Sequence, residues 1–266
     1  MQITDKVVFI TGGGGGIGGG MAQAFAEKGA RIVLADISFD HAQEQAALLP
    51  SGTPVEIVSF DVTSLDSWVR ARSRVEERFG IVDVLCNNAG VSAAFGPLID
   101  MSSAEFERVM AVNVTGVFNG VKTFVRGMVE TGSGHLVNTS SINGLCPHGG
   151  SAAYSASKFA VAGLSDALRQ ELAPAGVGVS TLFPGLTRSR MAEITMERLA
   201  EGDSSSAARM RARMMEPIWL GRAVVQAVEN NQPYIVSHPE FRANLTQRTD
   251  EILAAFGPPA QPGYGA

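Results

Sequence analysis

Mostly apolar runs of three to seven residues recur along the chain, and β-branched residues are common in them. This composition, bounded by turn residues, is typical of strands that are buried in a sheet. Seven such runs predict strands at 7–11, 31–35, 55–60, 82–86, 135–139, 177–183 and 234–236.

Helix-length segments lie between these runs, and they include 21–28, 65–79, 104–128 and 154–172. Strands that alternate with helices predict βαβ units. We therefore expect an α/β fold, with a mostly parallel sheet and helices on both faces.

Polar residues follow several of the predicted strands directly. Asp61 follows the third strand, residues 87–90 follow the fourth, and Ser140 and Ser141 follow the fifth. Each of them could be an ordinary cap or turn residue. Ligands of parallel sheets bind beyond the carboxyl ends of the strands, however, so their joint position predicts a binding edge.

A glycine cluster separates the first strand from the first helix, with eight glycines among residues 12–20. A flexible linker could have this composition, but the apolar strand and the helix that flank it favour a tight turn. Backbone N–H groups at the start of a helix bind phosphate. Asp36 ends the second strand, where a carboxylate accepts hydrogen bonds from a ribose and repels a 2′-phosphate; the alternative is that it only begins a solvated turn.

Gly19 and Gly20 continue the cluster into the first helical turn. Glycine costs about 1 kcal/mol relative to alanine in the interior of a helix. We therefore expect the start of this helix to be loose.

Length and composition are consistent with one enzyme-sized domain. The chain has 266 residues and a net charge of −5, without a long basic run, so nothing indicates binding to nucleic acid or to an anionic membrane. The N-terminus lacks the apolar core of a signal peptide, and no apolar stretch would span a bilayer, so we expect a cytoplasmic protein.

We expect a single domain at 1–256 and, from its proline and glycine content, a flexible tail at 257–266. The two cysteines and four histidines have no metal-ligand spacing, so we expect no metal site.

Tyr154 and Lys158 are four residues apart and would share one face of a helix. Tyrosine has an ordinary pKa of about 10. A nearby ammonium stabilises the phenolate and lowers that pKa, which favours proton transfer to and from a substrate oxygen. A Tyr-x-x-x-Lys pair taken alone is commonly a surface coincidence, so the assignment depends on the other motifs.

Taken in order and spacing, the motifs of this chain resemble the short-chain dehydrogenase/reductase family in its single-domain branch. They are TGGGGGIG at 11–18, DV at 61–62, NNAG at 87–90, Asn113, SS at 140–141, YSASK at 154–158 and PG at 184–185. The resemblance covers residues 6 to about 237. It implies a Rossmann-type, doubly wound parallel sheet of about seven strands, a nicotinamide cofactor, and a catalytic tetrad of Asn, Ser, Tyr and Lys.

The resemblance places the tetrad on Asn113, Ser141, Tyr154 and Lys158. Ser141 is preferred to Ser140 because it precedes the tyrosine by thirteen positions, as in many members of the family. Tyr154 would be the general base or acid, and Ser141 would hydrogen-bond the substrate oxygen. Lys158 would lower the pKa of the tyrosine and hold the nicotinamide ribose, and Asn113 would hold a water that links Lys158 to solvent.

The resemblance also indicates the cofactor. Relatives that prefer NADP usually carry a basic residue just before the middle glycine or just after the acidic position, and here those positions are Gly15 and Ile37. We therefore predict NAD. The predicted cofactor contacts are Gly12, Gly16, Ile17, Gly18, Asp36, Ile37, Asp61, Val62, Asn88, Ala89, Gly90, Tyr154, Lys158, Pro184, Gly185, Thr187 and Ser189.

The segment 188–217 occupies the family's substrate-covering position and is rich in methionine and arginine. Its methionines could form an apolar wall and an arginine could meet an anionic group; we favour the alternative, an amphipathic lid whose arginines are solvated. Predicted substrate contacts are Ala94, Phe95, Asn143, His148, Leu186 and Met191.

The segments "PGLTRSRM" and "YIVSHPEFRANLTQRTDEILAAF" loosely resemble bacterial dehydrogenases of aryl carbinols (Cα-dehydrogenases). The resemblance implies an NAD-dependent oxidoreductase that transfers hydride between a ketone and a secondary alcohol, bulky and aromatic or alicyclic. Two alternatives stay open: an NADPH-dependent ketoreductase of a biosynthetic pathway, and a cofactor-binding regulatory protein on the same fold. Members of the family are mostly tetramers or dimers, so we expect a homotetramer or homodimer; sequence does not decide the direction of the reaction.

Overall fold

The computed structural model describes residues 1–257, except for the side chains of 198, 199, 201 and 202. Its centre is a parallel sheet of seven strands in the order β3-β2-β1-β4-β5-β6-β7. The strands are β1 Val7–Thr11, β2 Arg31–Asp36, β3 Val55–Ser59, β4 Val84–Asn87, β5 Gly134–Thr139, β6 Val177–Phe183 and β7 Tyr234–Val236. The predicted α/β class and the predicted parallel sheet are therefore confirmed. Apart from residue 257, the predicted flexible tail lies outside the described residues.

The order of the strands reverses at β1, which pairs with β2 on one side and with β4 on the other. In doubly wound sheets this reversal opens a crevice at the carboxyl ends of the strands. The turns that follow β1 and β4 therefore face each other across the crevice, and the turn after β5 is next to them.

The helices cover both faces of the sheet. They are α1 Gly16–Glu27, α2 Phe39–Ala46, α3 Leu65–Phe79, α4 Ser103–Met110, α5 Gly116–Thr131, α6 Ala152–Leu172, α7 Arg190–Gly202, α8 Ser204–Ala212, α9 Pro217–Asn230 and α10 Arg242–Ala254. None of the helices in the described part of the chain has both the length and the hydropathy that a bilayer crossing requires.

The segment predicted as helical at 104–128 is helical throughout, but it is not one regular α-helix. A π-helical turn, Ala111–Thr115, separates α4 from α5. Such a turn adds a residue to a helix without changing its general direction, and π-turns are frequent at functional sites. Apolar periodicity alone does not reveal it, because one added residue leaves the apolar pattern of the two helices nearly intact.

Two apolar layers hold the sheet between the helices. One contains Trp68, which is fully buried and stacks on Phe9 with ring centroids 5.9 Å apart. The other contains α1 and α9, which meet through Gly20 and Gly221. A Cβ on either glycine would overlap the backbone of the opposite helix.

The first turn of α1 is thus packed rather than loose as we expected from its glycines. Gly19 and Gly20 are both buried. The penalty of glycine in a helix is offset here by the backbone contact with α9, which a larger residue would prevent.

Candidate active site

The turn after β1 brings its backbone directly against the turn after β4. Gly12 has a φ of 65°, in the left-handed region, and a Cβ on it would lie 2.9 Å from the Cα of Ala89. Only glycine meets both requirements without strain. The chain then enters α1 at Gly16, so the predicted glycine motif forms a tight turn at a helix N-terminus.

Thr11 links these two turns. Its buried hydroxyl oxygen accepts hydrogen bonds from the backbone N–H groups of Asn88 and Ala89, both at 3.0 Å, and its O–H donates to the carbonyl of Cys86. The amide Nδ2 of Asn88 donates in return to the carbonyl of Thr11. Thr11 belongs to the glycine motif, but no role was assigned to it from the sequence. The feature that could have indicated one is a threonine at the end of an otherwise apolar strand.

Asp36 lies at the carboxyl end of β2, beside the glycine turn. One carboxylate oxygen accepts from the N–H of Gly14 at 2.9 Å, and the other accepts from the N–H of Ser38 at 2.9 Å. The two bonds fix the carboxylate and leave each oxygen with capacity for another donor. Ile37 beside it is 77% exposed, so its side chain offers an apolar surface at the mouth of the crevice.

These groups fit a dinucleotide. The N–H groups of Gly16, Ile17 and Gly18 lie in the first turn of α1, where helix geometry supplies no acceptor for them. Oriented N–H groups and the helix dipole favour a pyrophosphate there, and the carboxylate of Asp36 suits ribose hydroxyls.

Asp61 and Val62 follow β3 on the same edge of the sheet. The carboxylate of Asp61 accepts from the N–H and from the hydroxyl of Thr63, both at 2.8 Å. The carbonyl of Val62 accepts from the indole of Trp68 and from the amide of Asn119. Both residues are held by local bonds, as the wall of a binding crevice requires.

Lys158 lies in α6, almost completely buried, and its Nζ donates to the carbonyl of Thr139 at 2.9 Å. The same Nζ is 5.6 Å from the centroid of the Tyr154 ring. A Cβ on Gly90 would lie 3.3 Å from Nζ and equally close to the side-chain oxygen of Asn113. The structure thus brings these predicted site residues together in one place.

Burial shifts the pKa values of both titrating members of the pair. It lowers the pKa of Lys158 to about 8. It raises the pKa of Tyr154, and the opposing effect comes from a hydrogen bond between Tyr154 and Ser141. The predicted lowering of the tyrosine pKa by Lys158 is therefore wrong for the structure as it stands, because the loss of hydration outweighs it.

Asn113 lies in the π-turn and is fully buried. Its Oδ1 accepts from the N–H of Val91 at 2.8 Å, and its Nδ2 donates to the carbonyl of Val91 and to the hydroxyl of Ser157, both at 2.9 Å. Both amide hydrogens are used, so the side chain connects α4 and α5 to the turn after β4. The predicted bridging water would therefore have to donate to an oxygen of this residue, because no amide hydrogen is left for it.

The two serines after β5 have different roles. The hydroxyl of Ser140 donates to the carbonyl of Lys158 at 2.7 Å and is buried. The hydroxyl of Ser141 accepts from the N–H of Asn143 at 3.1 Å, and it lies close enough to Tyr154 to act on the pKa of the phenol. Ser140 therefore fixes α6 to the sheet, and Ser141 is the serine that stands beside the tyrosine.

The turn after β6 completes this edge. The carbonyl of Pro184 accepts from the N–H of Ile142 at 3.0 Å, next to Ser141. Thr187 is buried, with its hydroxyl 3.3 Å from the carbonyl of Gly185. Ser189 accepts from the N–H of Ala192 and so caps the start of the lid helix.

The predicted substrate residues lie on the loops after β4 and β5, on the turn after β6 and on the lid. Phe95 is 75% exposed and its ring centroid is 6.1 Å from that of His148, which places the two loops against each other. The amide of Asn143 reaches the hydroxyl of Ser151. Of the remaining predicted substrate residues, Ala94 is exposed, and Leu186 and Met191 are half-buried.

The lid consists of α7 and α8, and three arginines in or beside it meet carboxylates. Arg190 pairs with Glu44 of α2 at 2.7 Å, and Arg211 pairs with Glu193 at 2.8 Å. Arg188 pairs with Glu216. These pairs favour the amphipathic lid over recognition of an anionic substrate group.

Comparison with known proteins agrees with this geometry. The family model described as short chain dehydrogenase matches residues 6–199. The chain is 33% identical to a C alpha-dehydrogenase of Sphingobium sp. strain SYK-6, over 98% of this chain and 90% of the relative. It is also 33% identical to a 3-alpha-(or 20-beta)-hydroxysteroid dehydrogenase of Mycobacterium tuberculosis, over 88% of this chain and 86% of the relative.

A solved short-chain dehydrogenase/reductase of Burkholderia phymatum, in complex with NAD, superposes with a TM-score of 0.86. The identity is 28%, and the match covers 98% of this chain and 99% of the other. The predicted family and the predicted Rossmann-type fold are thus confirmed. This chain belongs to the short-chain dehydrogenases, a family of oxidoreductases that bind a nicotinamide cofactor.

Proposed function

We propose that the protein is an NAD-dependent oxidoreductase that interconverts a bulky, aromatic or alicyclic secondary alcohol and the corresponding ketone. The observation that carries this proposal is the convergence of Ser141, Tyr154 and Lys158 at the sheet edge that also holds the glycine turn and Asp36. A proton-transfer group beside a dinucleotide crevice is what such a reaction requires.

The preference for NAD rests on Asp36. Its carboxylate is fixed by two backbone N–H groups at the position where an adenosine ribose would lie. A 2′-phosphate there would be repelled by the carboxylate, and the adjacent Ile37 offers it no cation.

A bound nicotinamide supplies the hydride acceptor or donor. The chain's own groups then handle the proton. In the oxidative direction Tyr154 takes the hydroxyl proton of the substrate, and Ser141 hydrogen-bonds the same substrate oxygen. Lys158 is positively charged at neutral pH, even with a pKa of about 8, and stabilises the phenolate when it forms.

The substrate class rests on the relatives and on the walls of the site. The name of one relative, a 3-alpha-(or 20-beta)-hydroxysteroid dehydrogenase, indicates a large alicyclic alcohol as its substrate. In this chain Phe95 and Met191 give the corresponding side of the site an apolar character. Apolar walls favour a large hydrophobic alcohol over a short polyol.

The test is a 340 nm absorbance screen of the purified protein against aryl carbinols, alicyclic alcohols and small polyols, with NAD and NADP in parallel. We expect reduction of NAD, and not of NADP, by one of the bulky classes. Preference for NADP would contradict the cofactor assignment and favour the ketoreductase. Intact NADH binding without reduction by any alcohol would favour the regulatory protein.

A further inference from the structure

His238 follows β7 directly and lies against the turn after β6. The residue is 7% exposed. A Cβ on Gly185 would lie 2.5 Å from the Cγ of the imidazole, so the ring rests on the backbone of Gly185 itself. Only a glycine at this position permits that approach, which makes the ring and the turn one packed unit.

The hydrogen bonds of the ring fix its tautomer. The N–H of Gly185 donates to Nδ1 at 3.1 Å, so Nδ1 carries no proton. The hydroxyl of Ser237 lies 2.8 Å from the same nitrogen and donates to it as well. Nε2 is 3.3 Å from the carbonyl of Leu186 and therefore carries the ring proton.

The turn that His238 holds lies between the catalytic serine and the lid. At its start the carbonyl of Pro184 accepts from Ile142, the residue after Ser141, and at its end Thr187 pairs with Met215 beyond the lid helices. The imidazole bonds the backbone of both central residues, one as acceptor and the other as donor.

We propose that His238 is a positioning residue that sets the turn 184–187 for the carboxamide end of the nicotinamide cofactor. The inference rests on the proposed function, and it assigns the carboxamide to Thr187 or Ser189, two of the predicted cofactor contacts. Because the ring bonds peptide groups of the turn, its loss would rotate those peptides and displace Thr187. The glycine turn and Asp36 are built from β1, α1 and β2. Gly16 lies against the backbone of Arg188 and Ser189, outside the turn 184–187, and Asp36 would keep its two backbone bonds for the adenosine ribose.

The experiment compares the binding of NADH with the binding of ADP-ribose, which lacks the nicotinamide. His238→Phe keeps a ring on Gly185 and loses the two hydrogen bonds to the turn, those with Gly185 and Leu186. In this variant we expect the Kd for NADH to rise about tenfold. The Kd for ADP-ribose should stay within about twofold of the wild-type value. In His238→Asn, whose Oδ1 can still accept from Gly185, we expect a smaller loss for NADH and none for ADP-ribose.

His135 provides the matched control, since it is equally buried and bonds Ser180 at the other end of the sheet. His135→Gln should lower stability without changing either Kd. Equal losses of NADH and ADP-ribose affinity in the His238 variants would show a merely structural role and overturn the inference, as would unchanged NADH affinity. If His238→Phe does not fold, His238→Asn decides the question by the same comparison of the Kd for NADH with the Kd for ADP-ribose. Wild-type protein that binds neither ligand would refute the proposed function itself.

Discussion

The ammonium of Lys158 donates a hydrogen bond to the backbone carbonyl of Thr139, with Nζ and O 2.9 Å apart. The bond joins the middle of α6 to the end of β5, two residues before Ser141. Tyr154 stands one helical turn earlier on the same face of α6. A single buried contact therefore sets the relative position of the serine, the tyrosine and the lysine.

Burial of this lysine has a cost in stability. Its pKa is lowered from 10.5 to about 8, so its charged form is disfavoured in the folded protein. The free energy of unfolding is therefore reduced below pH 8 and recovers as the pH rises toward 10.5, by about 3 kcal/mol in total. Lys158→Met removes this penalty and leaves the carbonyl of Thr139 without its donor, which costs about 1–2 kcal/mol.

At pH 7 we expect the free energy of unfolding of Lys158→Met to exceed that of the wild type by about 1–2 kcal/mol, so that the variant unfolds at a higher urea concentration. We also expect the variant to have lost turnover. The gain should shrink as the pH is raised from 8 to 10.5. Lys28→Met, at a residue whose side chain is 52% exposed, is the control and should show no such trend. A constant difference across this pH range would contradict the assignment of the shift to Lys158.

His135 predicts a separate effect at acidic pH. Burial lowers its pKa from 6.5 to about 4, and the charge of the N-terminus acts in the same direction. The unfolded chain binds the proton first, so stability is complete above pH 6.5 and is lost as the pH falls toward 4. Between pH 7 and pH 4.5 the wild type should lose about 2–3 kcal/mol that His135→Gln does not lose. Urea titrations of both proteins at the two pH values measure the difference, and parallel losses would exclude His135 as the cause.

Asp36 predicts the cofactor preference. Asp36→Asn retains acceptor capacity for one of the two backbone N–H groups and removes the charge. We expect the ratio of kcat/KM for NAD to that for NADP to fall about 10- to 100-fold, since the repulsion of a 2′-phosphate is lost. Adding Ile37→Arg should lower it further by giving the phosphate a cation. An unchanged ratio in both variants would mean that Asp36 does not face the ribose.

Short-range patterns predicted the sheet and most of the local chemistry. The strands were recognisable because each is a contiguous, mostly apolar run, and the central strands are buried on both faces whereas the edge strands β3 and β7 are not. The ends of β1, β6 and β7 are those expected. Asp36 and the glycine turn were recognisable because their spacing along the chain, relative to the first two strands, indicates dinucleotide binding. Tyr154 and Lys158 were recognisable because a helix repeats every 3.6 residues.

Long-range polar contacts were not predictable in this way. His238 bonds a turn 53 residues earlier, and Thr11 bonds the backbone of residues 77 and 78 positions later. Because the partners of these side chains are backbone groups, the sequence contains no complementary residue type that would indicate the contacts. The π-turn around Asn113 was missed for a related reason, because one added residue changes the hydrogen bonds of a helix and leaves its apolar pattern nearly intact.

The sequence also did not predict the direction in which the pKa of Tyr154 shifts on folding. Spacing predicts that an ammonium lies near the phenol, and it does, but spacing does not report how much water both groups lose. In the folded protein burial raises the pKa of Tyr154 and lowers that of Lys158. The phenol therefore stays protonated over a wider pH range than the simple pairing argument implies.

The central claim is that Tyr154 moves the proton in an NAD-dependent reaction, and the most direct measurement is turnover together with NADH affinity in Tyr154→Phe. The variant loses one hydroxyl, the group that lies beside Ser141. We expect kcat to fall at least about 1,000-fold, with the Kd for NADH within about threefold of the wild-type value. Tyr234→Phe is the matched control, because its hydroxyl bonds Asp166 in an exposed cluster, and it should keep full turnover. Turnover in Tyr154→Phe within tenfold of the wild type would contradict the account.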